Sequence, residues 1–210
     1  MNERIKNLRE IIISGEHRKL RNNVDESAAQ YYRDPTVPLH RRTALRLSLM
    51  LDSQVPMFLD GEKIAFMRTT PDLPPVLSDS ELAEIKKTHF VHEQGRVCNL
   101  CPDYASVISC GLYDVVKRLS KAKADNADKA DYIDSAIMSC EAVMEFADRY
   151  RIAADASGRY EIAAVLSRVP AYGASNFREA LQFFRILHFA LWCEGDYHNT
   201  VGRFDQFMYP

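Results

Sequence analysis

Four residues in the middle of the chain have the types and the spacing of a metal site. His89 and His92 lie three residues apart, and Cys98 and Cys101 follow with the spacing C-x2-C. Four nitrogen and sulfur ligands can form a tetrahedral zinc site, and the cysteine pair alone can form a redox motif. The alternative is two packed thiols beside surface histidines, which the lack of a glycine-rich knuckle after Cys98 favours.

A second group that could do chemistry lies near the end of the sequence, at 202–206, where the letters are G-R-F-D-Q. It follows an apolar stretch, and buried charges persist in proteins only where they are paired or used. If 203–207 is extended, Arg203 and Asp205 share one face of the strand. We therefore expect these two residues to pair, with Gly202 providing the turn. The alternative is a purely structural ion pair.

Familiar catalytic motifs do not occur in the sequence. It contains no G-x-S-x-G, no H-E-x-x-H and no glycine-rich phosphate loop. Carboxylate pairs such as Asp131/Asp134 and Glu141/Glu145 have helical spacing, which is more typical of a solvated helix face than of an acid–base pair.

The composition is that of a globular protein with a core, since 47% of the 210 residues are hydrophobic and 27% are charged. Lysine and arginine number 27 against 29 aspartate and glutamate residues, so no basic excess indicates nucleic acid. The charged start and the short apolar stretch 180–193 predict neither a signal peptide nor a membrane span. We therefore expect a cytoplasmic protein with reduced cysteines and no membrane or nucleic-acid partner.

Helices must position these groups, because apolar residues recur at helical spacing over most of the chain. The capping-box spacing of Ser78 and Glu81 predicts a helix start, and Ser175 is a candidate N-cap. The longest apolar stripes, at 128–156 and 176–194, predict two helices that pack together. Further helices are expected at 2–14, after Pro38, at 102–119 and at 160–169, with the best strand candidate at 62–70. The fold class is therefore mostly α with few short strands.

Five segments, in order along the chain, carry the motifs of one known family. The end of the sequence, GRFDQFMYP at 202–210, is similar to the family pattern G-R-x-D-Q-(Y/F)-x-Y-P. The others are C-P-D-Y at 101–104 with G-L at 111–112, F-A-D-R-Y at 146–150, V-P at 169–170 and F-R-E-A-L-Q at 177–182. Together they resemble the N-terminal part of glycyl radical enzymes, the pyruvate formate-lyase-like family. The resemblance covers about residues 90–210 and is loose over 1–89, so 1–210 is predicted to be one N-terminal portion of that domain.

The resemblance implies a particular fold and chemistry. Family members form a ten-stranded α/β barrel wrapped by helices, of which this chain would supply the N-terminal helical part. A backbone glycyl radical within R-V-x-G-(Y/F) generates a thiyl radical on a central cysteine, which abstracts hydrogen from a small-molecule substrate. An activase with an iron–sulfur cluster and S-adenosylmethionine installs the radical. Cys101 matches an ordinary family residue, which favours packing over zinc ligation.

The sequence contains neither the R-V-x-G-(Y/F) motif nor a matching central cysteine. The resemblance therefore implies a fragment of a radical lyase, in the dehydratase, decarboxylase or amine-lyase branch, that is inactive alone. We expect no cofactor, metal or catalytic residue in this chain, and its partners to be the activase and the missing C-terminal part. Exposed apolar surface on such a piece would also favour a homo-oligomer. The alternative is a stand-alone helical interaction protein or a split-enzyme subunit derived from the family.

The resemblance also implies three substrate-binding candidates. Asp205 is the aspartate of the G-R-x-D motif, which lies at the pocket in several branches. Phe189 and Tyr197 follow from their spacing upstream of it. The family stretch E-x-N-G-H-S appears here as E-G-D-Y-H-N at 194–199, so the choice between Tyr197 and His198 stays open. Packing is an equal alternative for Phe189 and Tyr197.

Overall fold

The computed structural model describes residues 2–20, 26–66, 73–88, 100–195 and 199–208, and within these ranges every regular element is helical. The helices are α1 (Glu3–Ser14), α2 (Leu39–Asp52), α3 (Asp79–Thr88), α4 (Tyr104–Cys110), α5 (Leu112–Asp125), α6 (Ala130–Ala156), α7 (Tyr160–Leu166), α8 (Phe177–Cys193) and α9 (Phe204–Phe207). Short 3₁₀ turns span Glu16–Leu20, Glu26–Tyr31 and Ala127–Lys129. Among the described helices, none has both the length and the apolar character needed to cross a membrane.

The start of α3 is fixed by the predicted capping box. The Ser78 backbone N–H donates to Oε2 of Glu81 at 2.8 Å, and the Glu81 N–H donates to the Ser78 hydroxyl at 3.3 Å. Glu81 also accepts a 2.6 Å hydrogen bond from Nη1 of Arg42, a buried residue of α2. The bond from Arg42 and then those from Ser78 lower the pKa of Glu81 to about 2. The carboxylate therefore joins α2 to α3 as well as capping a helix.

The predicted helix over 102–119 is in fact two helices, α4 and α5, which meet at Gly111. Gly111 has φ +86, and a Cβ there would lie 2.5 Å from the backbone carbon of Tyr172. The loop after α7 approaches this closely because the Leu112 N–H donates to the Pro170 carbonyl at 2.9 Å. A single straight helix would have no room for that loop, so the break is caused by a tertiary contact.

The core contains the contact between α6 and α8 that their apolar stripes predict, and α6 also packs extensively on α2, α5 and α7. The rings of Phe146 and Phe189 stack with centroids 5.7 Å apart, and both residues are buried. Phe66 inserts between the two helices, stacked on Tyr150 at 4.5 Å and edge-to-face against Phe146 at 4.9 Å. Aromatic burial of this extent supplies much of the stabilisation of a domain this size.

The predicted strand at 62–70 is wrong for residues 62–66, which form an irregular loop, while 67–70 lie outside the described residues. The loop is held by Gln182 of α8, whose Oε1 accepts from the Ala65 N–H at 2.8 Å and whose Nε2 donates to the Ala65 carbonyl at 3.2 Å. Gln182 thus takes the place of a neighbouring strand for one residue. The next residue, Phe66, has a positive φ of 107.

The start of α8 is one residue later than predicted. Asn176, not Ser175, is the N-cap, and its side chain accepts from the Glu179 N–H at 3.0 Å. Ser175 still contributes, because its N–H and hydroxyl both donate to Oε2 of Glu179 at 2.8 Å. The two residues therefore share the capping role.

Replacing Gln182 with Leu is expected to destabilise the chain strongly. The variant leaves the buried N–H and carbonyl of Ala65 without partners, at a cost of roughly 1–3 kcal/mol for each group. The free energy of unfolding from urea titration measures this loss. The exposed Gln30→Leu serves as the control and should change stability by less than about 0.5 kcal/mol. Equal stabilities of the two variants would contradict the role of Gln182.

Candidate functional site

The segment with the G-R-x-D-Q letters does not have the expected extended conformation. Residues 204–207 form the helical turn α9, entered from Gly202 with φ +60. Arg203 and Asp205 therefore do not share a strand face, and no ion pair joins these two described residues. Arg203 instead contacts Oε1 of Gln206 through Nη1 at 3.4 Å. Asp205 is exposed on the surface of the turn.

The turn is attached to the loop that precedes α4. The Thr200 N–H donates to the Leu100 carbonyl at 3.0 Å, and a Cβ on Gly202 would lie 3.2 Å from Sγ of Cys101. Met208, after the turn, is buried with 1% exposure. The C-P-D-Y and G-R-x-D-Q segments, about a hundred residues apart, are thus neighbours in the fold.

An aromatic cluster holds α9 against α4 and α8. Phe184 of α8 lies at its centre, edge-to-face with Tyr104 at 4.9 Å and with Phe204 at 5.2 Å. Phe207 completes the cluster, 5.8 Å from Tyr104. The position of Asp205 is therefore determined by the two phenylalanines on either side of it in α9.

A partly buried hydrogen bond connects the cluster to the second half of α8. The Tyr104 hydroxyl lies 3.2 Å from Nδ1 of His188. Burial raises the pKa of Tyr104 to about 12, with nearby Cys101 adding to the effect. Burial, and secondly the charge of Arg185, lower the pKa of His188. At neutral pH both groups are therefore uncharged, and they serve as a fixed hydrogen-bonded pair rather than as a proton relay.

An apolar cavity of about 400 Å³ lies on the other side of Tyr104, between α2, α4, α6 and α8. Its polar edge is formed by Asp103, Ser139 and Glu194. Cys140 lies in its wall, and burial raises the pKa of that thiol to about 11, so it is protonated and unreactive at neutral pH. The cavity has room for a small molecule that is mostly apolar, with Asp103 and Glu194 as the two charged residues among those that line it.

The three substrate-binding candidates are not brought together in the described part of the chain. Phe189 lies in the core at 1% exposure, with Arg185 stacked 5.7 Å from its ring centre, which is the environment of a packing residue. Asp205 lies at the surface of α9. Tyr197 lies outside the described residues. The substrate-binding role of all three stays a prediction.

The predicted zinc group is described only in part. His89, His92 and Cys98 lie outside the described residues, whereas Cys101 is exposed with a free thiol. Among the residues that the structure does describe, no cluster of three or more histidine, cysteine or acidic side chains is arranged to hold a metal ion.

Sequence reasoning missed the Tyr104–His188 pair. The available signal was the row Phe184, His188 and Trp192, which repeats every four residues along one face of α8. The rings of this row contact one another in sequence, each pair 5.5 Å apart. A histidine between two aromatic residues on an amphipathic helix indicates a buried imidazole that needs a partner.

This arrangement of helices and motifs is that of a known family. The sequence model of the family described as pyruvate formate lyase-like matches residues 78–210. The chain belongs to this family and forms the N-terminal helical part of its fold. No curated protein matches the sequence.

Solved structures of glycyl radical enzymes share the fold. The B12-independent glycerol dehydratase of Clostridium butyricum matches with a TM-score of 0.73 at 20% identity, over 100% of this chain and 36% of its own. A Roseburia inulinivorans protein studied for 1,2-propanediol dehydration gives 0.74 at 21% identity, over 100% and 34%. Hydroxyproline dehydratase of Clostridioides difficile gives 0.69 at 18% identity, over 99% and 36%. The chain therefore spans about a third of the length of these proteins.

The half-buried position of His188 predicts a pH dependence. Its pKa in the folded chain is lowered from 6.5, so the unfolded chain takes up the proton more readily. The stability contributed by neutral His188 is full above pH 6.5 and decreases as the pH falls toward the folded pKa. An NMR titration of the imidazole should give a midpoint below 6.5.

The variant Tyr104→Phe tests the partner of His188. Without the hydroxyl the imidazole loses its hydrogen-bond partner, so the free energy of unfolding should fall by about 0.5–1.5 kcal/mol. An unchanged free energy of unfolding in the variant would show that the pair does not stabilise the chain.

Proposed function

We propose that this chain is the N-terminal part of a glycyl radical lyase that cleaves a C–O, C–N or C–C bond of a small molecule. The observation that carries the proposal is the family match over residues 78–210. The fold, which is shared over nearly the whole chain with three proteins described for dehydration chemistry, supports it. Within the family we favour the dehydratase branch and its relatives, the decarboxylases and amine lyases.

The chain's own contribution is structural support for a pocket. The packing of α6 against α8 and the aromatic cluster around Phe184 fix α9, and α9 carries Asp205. Because Asp205 is exposed on a turn that is anchored on both sides, its carboxylate is available to a group from outside this chain. An ionised aspartate in that position orients a hydroxylated or cationic substrate through a charge-assisted hydrogen bond.

The radical chemistry belongs to a different segment. No R-V-x-G-(Y/F) occurs in the 210 residues, so none of the chain's residues fits the radical glycine and no reaction step is assigned to them. In the complete enzyme the glycyl radical would supply the hydrogen-atom abstraction, after installation by an S-adenosylmethionine-dependent iron–sulfur activase. We therefore propose that the 210-residue chain alone has no lyase activity.

The isolated chain should give no glycyl radical signal. After incubation with an activase and S-adenosylmethionine, electron paramagnetic resonance should show a doublet only when the chain is produced with a segment that carries R-V-x-G-(Y/F). The longer protein provides the positive control, with dehydration of glycerol, 1,2-propanediol and hydroxyproline assayed in parallel. A doublet from the 210-residue chain, lost on replacement of one of its glycines, would overturn the proposal. Assembly of the signal from two separate chains would favour the split-enzyme alternative.

The pocket role of Asp205 is tested by Asp205→Asn in the complete enzyme. Loss of the charge should weaken substrate binding or turnover by about tenfold or more, since hydrogen bonds to charged groups contribute roughly 1.5–3 kcal/mol. Asp155→Asn, on the exposed end of α6, is the matched control and should leave kcat/KM unchanged. Equal kinetics of the two variants would leave Asp205 as a surface residue.

A further inference from the structure

A polar cavity of about 350 Å³ lies on the side of the molecule where α8 begins, away from α9. Its walls come from α1, the 61–63 loop, the junction of α6 with α7, and the first turn of α8. The charged residues that line it are four cationic and two acidic: Arg4, Lys63, Arg159, Arg178, Glu62 and Glu161. The cavity therefore carries an excess of positive charge in a chain whose net charge is -2.

The two carboxylates neutralise only part of this charge. Glu161 pairs with Nη1 of Arg178 at 3.0 Å. Glu62 is buried and accepts from the Leu59 backbone N–H at 3.0 Å, which directs one of its oxygens toward its own loop. Within the described ranges no ion pair joins Arg4, Lys63 or Arg159 to an acidic residue.

The cations are held in place by contacts that leave their charge available. Nη1 of Arg4 donates to the Gly61 carbonyl at 2.8 Å, and the Arg159 guanidinium lies 5.3 Å from the ring centre of Phe58. Gly61, with φ +70, is required for this arrangement because a Cβ there would lie 2.7 Å from Cγ of Arg4. A carbonyl and an aromatic face orient a guanidinium without a compensating negative charge.

Arg178 also lines the cavity. Its Nε and Nη2 atoms are buried and have no hydrogen-bond acceptor among the described residues. Buried polar groups without a partner are rare in native proteins and usually indicate an ion or water that completes the site. One of the three guanidinium nitrogens is thus bonded to Glu161, and the other two add unsatisfied N–H donors behind the cavity wall.

We propose that this cavity binds a small oxyanion, a phosphate or carboxylate group, between Arg4, Arg159 and Lys63, with Arg178 behind them. Guanidinium groups match the two oxygens of such anions with paired hydrogen bonds. A Cβ at Gly158 would meet nothing within 4 Å, so the mouth of the cavity beside Arg159 is open to an entering ligand. The proposal is independent of the radical chemistry and of the pocket role of Asp205.

Titration calorimetry on the 210-residue chain tests the proposal, with inorganic phosphate and malonate as probes at constant ionic strength set by chloride. We expect saturable binding of one probe at one site per chain. Phosphate alone would identify a phosphate site and malonate alone a carboxylate site. The absence of saturable binding for both would overturn the proposal.

Variants then assign the binding to this cavity. The double variant Arg4→Gln, Arg159→Gln should weaken it by about tenfold or more, because two charge-assisted hydrogen-bonding groups are lost. The control Arg118→Gln, on exposed α5, should bind within twofold of the parent. Because the double variant also loses contacts to Gly61 and Phe58, circular dichroism checks its fold, and Lys63→Gln provides a second test on an exposed side chain. Unchanged affinity in both cavity variants would place the anion elsewhere and overturn the proposal.

Discussion

The pairing of Gln182 with the Ala65 backbone is the constraint on which the rest of the structure depends. It holds an irregular loop against α8, and the next residue, Phe66, has a positive φ. A bulky residue in that region costs roughly 1–3 kcal/mol, and it persists only where the surroundings over-determine it. Here they do, because Phe66 is buried at 2% exposure between Phe146 and Tyr150. The strained loop and the aromatic core therefore depend on each other.

The position of the C-terminal turn follows from this core. Once α8 is fixed by Gln182 and Phe189, its far end is held by Arg46 of α2, whose Nη1 donates to the Cys193 carbonyl at 2.9 Å. This bond satisfies one of the carbonyls that every helix end leaves open. The position of α8 then determines how Phe184 contacts Tyr104 and α9. The position of Asp205 therefore depends, through α8, on contacts made by residues about 20 positions earlier in the chain.

Features that depend on residues nearby in the sequence were predicted correctly, whereas features that depend on contacts with distant segments were not. The capping box at Ser78 and Glu81 and the length of α6 depend on neighbours within one or two turns, and both were predicted correctly. The break at Gly111 was not, because it is required by the loop after α7. The strand at 62–66 failed for the same reason: its alternating pattern is real, but the partner is one side chain of α8. At the candidate site, the motif letters located the turn, whereas its helical conformation depends on Phe204 and Phe207 packing on Phe184.

The motifs that identify the family are, in this chain, largely structural. Glu179 and Gln182 of F-R-E-A-L-Q cap α8 and hold the 61–66 loop, and the Pro170 carbonyl of V-P accepts the N–H of Leu112 from G-L. Such residues support the fold of this chain and do not indicate which substrate is bound.

Arg42 and Arg178 differ in how completely their guanidinium groups are hydrogen-bonded. Arg42 is buried at 3% exposure with all three guanidinium nitrogens bonded, to Tyr32, Val76 and Glu81, so its desolvation is fully compensated. Arg178 has one nitrogen paired and two buried without an acceptor among the residues that the structure describes. The fold provides Arg42 with carbonyl and carboxylate acceptors, so nothing in its architecture prevents a similar acceptor beside Arg178. The unsatisfied N–H groups of Arg178, at the start of α8, are therefore better explained by a function of that cavity than by a requirement of the fold.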